Sequence, residues 1–321
     1  GETEPMSVPF LARDVVDWTG GELIQGKETA RFDGVSIDSR TVRPAQLFVA
    51  IRGPHHDGHL FLEGALAAGA AGLLVEHGRP VTAPPELPFI AVDDTTRALG
   101  AMAAGHRRGF QGPVVAITGS NGKTTAKEMC ASILSQSGVC LKNRGNLNNE
   151  FGLPLTLLER EADHRALVVE IGMNHRGEIA PLAAIARPTV AVVTNVGTAH
   201  IEFLGSRDEI AAEKGDLIAA LDEDAIAVLN ADDHRVMAQA ERTRARILRF
   251  GQQADAEVRA ERITSLGERG FAFDLVTDAD KVPVHVAGLG DPTVWNALAA
   301  SAAALAAGAP LAAVSEGLAR Y

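Results

Sequence analysis

From Pro113 onward the chain alternates short, continuously apolar runs with amphipathic stretches, and this alternation limits the possible folds more than any other feature. The apolar runs fall at 114–118, 166–171, 190–195, 225–230 and 246–250, with helical patterns at 123–137, 178–186, 206–221 and 233–240 between them. A strand with one wet face would alternate apolar and polar residues. A run that does not alternate must be covered on both faces, and helices between successive strands provide that cover. The pattern predicts an α/β domain with a mainly parallel sheet. Residues 256–286 differ, with alternating polarity and turns at Gly267 and Gly270, and predict an antiparallel meander at the sheet edge. A last helix is expected at 293–307. The uncharged stretch 297–314 is about long enough to span a bilayer, but Gly308-Ala309-Pro310 divides it, so two buried helices are expected instead of a membrane span.

Residues 10–100 read as a smaller α/β unit: a buried strand at 46–51, a helix at 60–71, a strand at 72–75 and a helix at 95–108. The basic, Gly-containing stretch from His106 to Pro113 marks the boundary, giving domains 1–109 and 110–321. With 30 Lys and Arg against 41 Asp and Glu, the net charge is −11. An acidic chain is poorly suited to nucleic acid or to an anionic membrane surface. Any anionic ligand must therefore meet locally concentrated positive charge. Two cysteines, Cys130 and Cys140, make no disulfide framework and lack zinc-ligand spacing, as expected for buried thiols in a cytoplasmic protein.

The strongest local signal is Val114-Val-Ala-Ile-Thr-Gly-Ser-Asn-Gly-Lys-Thr-Thr125, between a buried strand and a helix. Gly119, Ser120, Asn121 and Gly122 can turn backbone N–H groups toward a phosphate, and the helix N-terminus adds partial positive charge. Lys123 can reach the outer phosphates, Thr124 offers a hydroxyl to Mg²⁺, and Thr125 continues the cradle. Ile117 stands where the strict pattern has Gly, so the loop is a shortened variant. Kinases, motors, GTPases and ligases all use such loops, so the reaction must be decided elsewhere. Glu170 ends one predicted strand, where ligands of parallel sheets bind and where an acid can help hold Mg²⁺. His200 follows the end of another. Lys214 lies on a predicted helix, either solvated or functional. Asp232-Asp233 offers an N-cap or a ribose contact. The amide-rich run Asn143-Arg-Gly-Asn-Leu-Asn-Asn149 is either a polar turn or a surface for sugar and peptide.

Together these segments resemble the Mur ligases, ATP-dependent amide-forming enzymes of peptidoglycan synthesis. Besides the phosphate loop, the resemblance rests on Gly145-Asn-Leu-Asn-Asn-Glu-Phe-Gly-Leu-Pro154, Glu170-Ile-Gly-Met-Asn-His-Arg-Gly-Glu-Ile179, Thr194-Asn-Val-Gly-Thr-Ala-His-Ile-Glu202, Lys214-Gly-Asp216, Ser36-Ile-Asp-Ser-Arg40 and Asp57-Gly-His-Leu-Phe61. These look most like the branch that joins D-alanyl-D-alanine to UDP-N-acetylmuramoyl-tripeptide through an acyl phosphate. A sister ligase, a folylpolyglutamate synthase-like ligase and a non-catalytic nucleotide-sugar-binding module are the alternatives.

The resemblance implies ATP and two Mg²⁺ ions. Lys123 and the loop would hold ATP, Thr124 and Glu170 one metal, and His200 a second. Lys214 would carry a carbamate as a further metal ligand. Asn230, Asp233 and Asn296 would lie at the nucleotide, although Pro292-Thr293 stands where the family often has a His-Asn pair. Ser36, Asp38, Ser39, Arg40, Asp57 and His59 would face the UDP-sugar, and Asn146 and Asn149 the muramoyl-peptide. A monomer is expected. Family members also carry a third, C-terminal domain. It is expected to be absent from a chain ending at Gly317-Leu-Ala-Arg-Tyr321 and with it, efficient turnover.

Overall fold

The computed structural model describes residues 7–145, 147–197 and 204–321. They form two compact units, one made of Gly1–Gln111 with Glu150–Asp163, the other of Gly112–Asn149 with His164–Tyr321.

The first unit is built on a five-stranded sheet in the order Glu22–Gln25, Phe89–Val92, Gly72–Glu76, Leu47–Val49, Val35–Ser36. Only the Glu22–Gln25 edge runs antiparallel to its neighbour. The helix Thr95–Arg108 begins where Asp94 accepts the Thr96 and Arg97 amides at 2.9 and 3.1 Å, relieving two of the donors that every helix start leaves free. It buries Ala98, Leu99, Met102 and Ala103, at the spacing of one helix face. The helix expected at 60–71 is shorter, Leu62–Ala67, because a 3₁₀ turn at Gly58–Phe61 takes its start.

The return of Glu150–Asp163 to this unit was not evident from two consecutive domains. Its helix Gly152–Leu158 buries Leu153, Leu157 and Leu158 and packs on Thr95–Arg108. Arg160 then donates to the His106 carbonyl at 3.0 Å, and its guanidinium lies 5.4 Å from the centre of the Phe110 ring. Cation–π attraction and burial of three leucines hold the excursion in place.

The second unit carries a nine-stranded sheet in the order Lys281–Val286, Phe271–Val276, Val258–Ser265, Arg246–Gly251, Ile226–Asn230, Val190–Val193, Val114–Thr118, His164–Glu170, Val139–Lys142. Every pair from Val139–Lys142 to Val258–Ser265 is parallel, and the last two pairs are antiparallel. The predicted parallel sheet with an antiparallel edge is therefore present, and it has one further strand, Val139–Lys142. That edge strand is only partly buried and lacks the continuous apolar run of its neighbours. Val114–Thr118 comes first in the chain yet sits inside the sheet, flanked by His164–Glu170 and Val190–Val193. The chain thus leaves this strand toward one side and later returns on the other, which opens a crevice at the strands' carboxyl ends.

The helix Lys123–Leu134 buries Ala126, Met129, Cys130, Ile133 and Leu134, and packs against Pro292–Ala306 and Leu311–Arg320. These last two are the pair expected from the apolar stretch before and after Gly308. Among the described residues no helix is long and apolar enough to cross a membrane. Both cysteines are free, and burial pushes their thiols up, that of Cys140 to about 12.

Candidate active site

The crevice is lined by the phosphate loop. Gly122 caps the helix Lys123–Leu134 in the left-handed region, φ +78°, and has no side chain to accept the first-turn amides. The N–H groups of Lys123, Thr124 and Thr125 have no carbonyl one turn behind them, so they face outward as donors at the positive end of the helix. A side chain at Gly122 would overlap Asn296 Oδ1, which brings the Asn296 amide directly over the loop. Gly119 is equally constrained, since a Cβ there would collide with the Thr194 hydroxyl.

The next strand end stitches the loop in place. Asn195 accepts the Asn121 amide through Oδ1 at 3.0 Å and donates through Nδ2 to the Asn121 carbonyl, also at 3.0 Å. The Thr194 hydroxyl donates to that carbonyl at 3.0 Å, and the Ser120 hydroxyl accepts the Gly197 amide at 2.7 Å. Ser120 and Asn121 therefore shape the cradle. Thr194 and Asn195 were not anticipated as site residues, because their role is hydrogen bonding across the crevice, which no local spacing reveals.

Glu170 is 1 % exposed and closes the other side. Its Oε2 accepts the Thr124 hydroxyl at 2.9 Å and its Oε1 accepts Asn148 Nδ2 at 3.1 Å. The structure thus brings together the two oxygen donors expected to hold Mg²⁺. A hydroxyl and a carboxylate are hard oxygen ligands suited to that ion. Lys127 Nζ lies 3.7 Å from Glu170 Oε2.

Lys214 sits buried on the helix Arg207–Ala219. Burial, and then repulsion from Lys123, lower its pKa from the ordinary lysine value, Glu213 partly opposes both, and together they bring it to about 7. The two lysines are therefore close enough to sense each other's charge. Glu213 itself accepts the Gly177 amide through both oxygens at 2.9 Å and the Ile179 amide at 3.2 Å, capping the helix Ile179–Ala186. His200 and Asn146 lie outside the described residues.

A cleft of about 720 Å³ extends from the loop, lined by Asn121, Gly122, Thr125, Asn230, Trp295 and Asn296 among others. Its volume suits a nucleotide-sized ligand. Pro292 opens the helix that carries Asn296, where its missing N–H costs nothing, so the departure from the family's usual pair leaves Asn296 on the cleft wall. Trp295 went unremarked in the sequence, where an aromatic beside the expected Asn was the available signal. Asn230 donates to the Thr194 carbonyl at 3.0 Å while lining the cleft. Asp233 caps the helix His234–Met237, one of its two anticipated roles, and accepts the Val196 amide at 2.9 Å.

In the first unit, Arg40 and Asp38 form a two-pronged pair at 3.0 and 2.9 Å on an open surface, and the Ser36 hydroxyl bonds the Asp38 backbone. Side-chain bonding to Arg40 lowers the Asp38 pKa. Ser39 lies between them in the chain. Asp57 accepts the His59 backbone amide at 3.0 Å, pairs with the His59 ring at 2.8 Å and is bridged by Arg79. Burial pushes the Asp57 carboxyl up, but these bonds outweigh it and hold the pKa at about 2. His59 Nε2 accepts the Glu76 amide at 2.9 Å, which fixes the proton on Nδ1, toward Asp57. Both ring nitrogens are engaged inside the fold. Asn149 is exposed in the second unit.

Residues 117–304 match the model of the Mur ligase middle domain, and residues 31–107 that of the Mur ligase family catalytic domain. The chain belongs to the Mur ligase family. It is 40% identical over 307 residues to UDP-N-acetylmuramoyl-tripeptide–D-alanyl-D-alanine ligase of Escherichia coli strain K12, covering 95% of this chain and 66% of that relative. The chain thus spans just under two thirds of that relative's length. Among solved Mur ligase structures, it superposes on MurF from Acinetobacter baumannii with a TM-score of 0.89 at 35% identity, covering 97% of this chain and 68% of that one. MurF from Thermotoga maritima in complex with ADP gives a TM-score of 0.77 at 30% identity, covering 88% and 65%.

Proposed function

We propose that this chain is the nucleotide- and sugar-binding part of an ATP-dependent, ADP-forming ligase that joins D-alanyl-D-alanine to UDP-N-acetylmuramoyl-tripeptide. The observation that carries the reading is the Thr124–Glu170 hydrogen bond at 2.9 Å beside the uncapped phosphate-loop helix. The likeness to ligases of that name supports the choice of substrates.

In the first step a tripeptide carboxylate oxygen attacks the γ-phosphorus of ATP. A P–O bond forms, the bond to ADP breaks, and an acyl phosphate results. The amine of D-alanyl-D-alanine then attacks the acyl carbon, forming the C–N bond. Phosphate leaves with the C–O electron pair, and the amine loses a proton.

The difficulty is the first approach. Two unit charges 4 Å apart repel by about 4 kcal/mol at an effective dielectric of 20, and a carboxylate nearing a triphosphate meets several such terms. Lys123 and the first-turn amides offset them by holding phosphate oxygens. Thr124 and Glu170 would hold Mg²⁺, with His200 and Lys214 at a second ion, and the bound metal supplies further charge neutralisation. The lowered Lys214 pKa favours a neutral amine, the form that adds CO₂ to become an anionic carbamate ligand. Asn230, Trp295 and Asn296 form the wall on which the base and ribose rest. Ser36, Asp38, Ser39 and Arg40 receive the UDP-sugar, with Asp57 and His59 shaping the turn beside them, while Asn146 and Asn149 face the muramoyl-peptide. The reading places the protein in the cytoplasm, acting as a monomer.

Lys123→Ala tests it. Titration calorimetry is expected to show ATP-analogue binding weakened by about 10-fold or more, the worth of a charge-assisted contact, with UDP-sugar affinity unchanged. Equal loss of both ligands would refute the assignment of the two ligands to separate units.

A further inference from the structure

Lys127 belongs to none of the roles above, yet its side chain is fully buried. An ammonium in that position is costly unless it is paired and hydrogen-bonded. Its Nζ donates to the Asn143 carbonyl at 2.7 Å and stands 3.7 Å from Glu170 Oε2 and 3.5 Å from Glu128 Oε1. Asn143, also fully buried, clamps the backbone of Glu170 from both sides: Nδ2 donates to the Glu170 carbonyl at 3.0 Å, and Oδ1 accepts the Glu170 amide at 2.9 Å. The same Nδ2 donates to the Leu147 carbonyl at 2.8 Å. Asn148 reaches back to Glu170 Oε1, and the Gly172 amide donates to the Asn148 carbonyl at 3.3 Å. The network is closed. Lys127 fixes Asn143, Asn143 fixes the Glu170 backbone and the start of the amide-rich turn, and that turn fixes the Glu170 carboxylate.

We propose that Lys127 is a positioning residue, whose buried ammonium, acting through Asn143, locks the Glu170 carboxylate together with Asn143, Leu147 and Asn148 into one unit. This inference rests on the reading of Thr124 and Glu170 as cation ligands. One part of it does not depend on that reading: the turn's backbone is held by Lys127 in the chain without any ligand. Lys127 stands between two carboxylates, of Glu128 and Glu170, and of these only Glu170 is buried and bonded to Thr124. A long, three-donor side chain near the start of the phosphate-loop helix can serve that carboxylate while its ammonium stays buried on the Asn143 carbonyl. Partners that orient metal ligands typically change metal affinity about 10- to 100-fold when removed.

The test compares the wild-type chain with Lys127→Met, which keeps length and burial but removes charge and donors. Lys127→Gln, which keeps a donor, is the second variant should the first not melt cooperatively. ADP binding is measured by calorimetry with Mn²⁺ and with EDTA, and amide hydrogen exchange of residues 143–149 is followed without ligand. The expected result is a loss of about 10-fold or more in Mn²⁺-dependent ADP affinity, with affinity in EDTA unchanged and faster exchange across the segment. The Gln variant should show the same split in smaller measure. A merely structural lysine would lower both affinities together. Unchanged Mn²⁺ dependence and exchange would overturn the proposal, and so would tighter Mn²⁺ binding, since Lys127 would then act only by repulsion. A wild-type chain that binds ADP without regard to Mn²⁺ would instead overturn the cation-site reading; faster ligand-free exchange in Lys127→Met would then still support the holding role, and unchanged exchange would overturn it.

Discussion

Gly119→Ala is the most direct probe of how the phosphate loop is held. A Cβ at Gly119 would overlap the Thr194 hydroxyl and lie 3.0 Å from Thr194 Cβ, and Thr194 is 4 % exposed, so it has little room to retreat. Two costs follow. Overpacking by one methyl in such a site typically costs about 1–3 kcal/mol. Displacing Thr194 also breaks its bond to the Asn121 carbonyl, worth about 1 kcal/mol. The expected destabilisation is therefore about 2–4 kcal/mol, read from the urea midpoint at constant slope. Because Asn121 and Gly122 shape the cradle, ADP affinity should fall in the same variant. Gly119→Ala combined with Thr194→Ala should recover part of the stability, since the hydroxyl overlap is gone while the 3.0 Å approach to Cβ remains. A loss below about 0.5 kcal/mol, within the usual range of surface substitutions, would refute the packing argument. So would a double variant no more stable than the single.

Three further outcomes are expected. Lys214 has a folded pKa of about 7 against 10.5 for a free lysine, so between those values the unfolded chain binds the extra proton and stability rises with pH. Lys214→Met should flatten that slope in urea titrations from pH 7 to 10, and ¹³C-labelled bicarbonate should give a carbamate resonance in the wild type alone. Asp57, held at about 2, stabilises the first unit above the unfolded value of 3.8, and this stability fades as pH falls toward 2; Asp57→Asn should reduce that acid dependence in circular-dichroism melts. Glu213→Ala leaves two amides, of Gly177 and Ile179, without their charged acceptor, and should cost about 3–6 kcal/mol at about 1.5–3 per bond to a charged group. A control at exposed Glu209 should change the urea midpoint little.

The parallel sheet was legible because continuous apolar runs have few alternatives to a doubly covered sheet, and the phosphate loop because Gly119, Gly122 and Lys123 have a mechanical reason to occur together. Glu170 was readable as a strand-end acid. What escaped notice depends on contacts distant in the chain. Lys127 lies four residues beyond Lys123 and looks like any helical lysine until Asn143 and Glu170 are seen around it. The clamp of Thr194 and Asn195 on Asn121 spans more than seventy residues. The excursion of Glu150–Asp163 shares its apolar composition with the helices of the second unit, so nothing local marks where it packs.

That excursion limits how the molecule can be dissected. The polypeptide passes between its two bodies three times, after Gln111, Asn149 and Asp163. A gene fragment ending at residue 111 would strip the cover from Thr95–Arg108, and one beginning at residue 112 would drag Leu153, Leu157 and Leu158 along as an orphaned greasy helix. Expressing either body alone therefore calls for a spliced gene, in which 150–163 is grafted onto the amino-terminal piece and a short turn replaces it in the other.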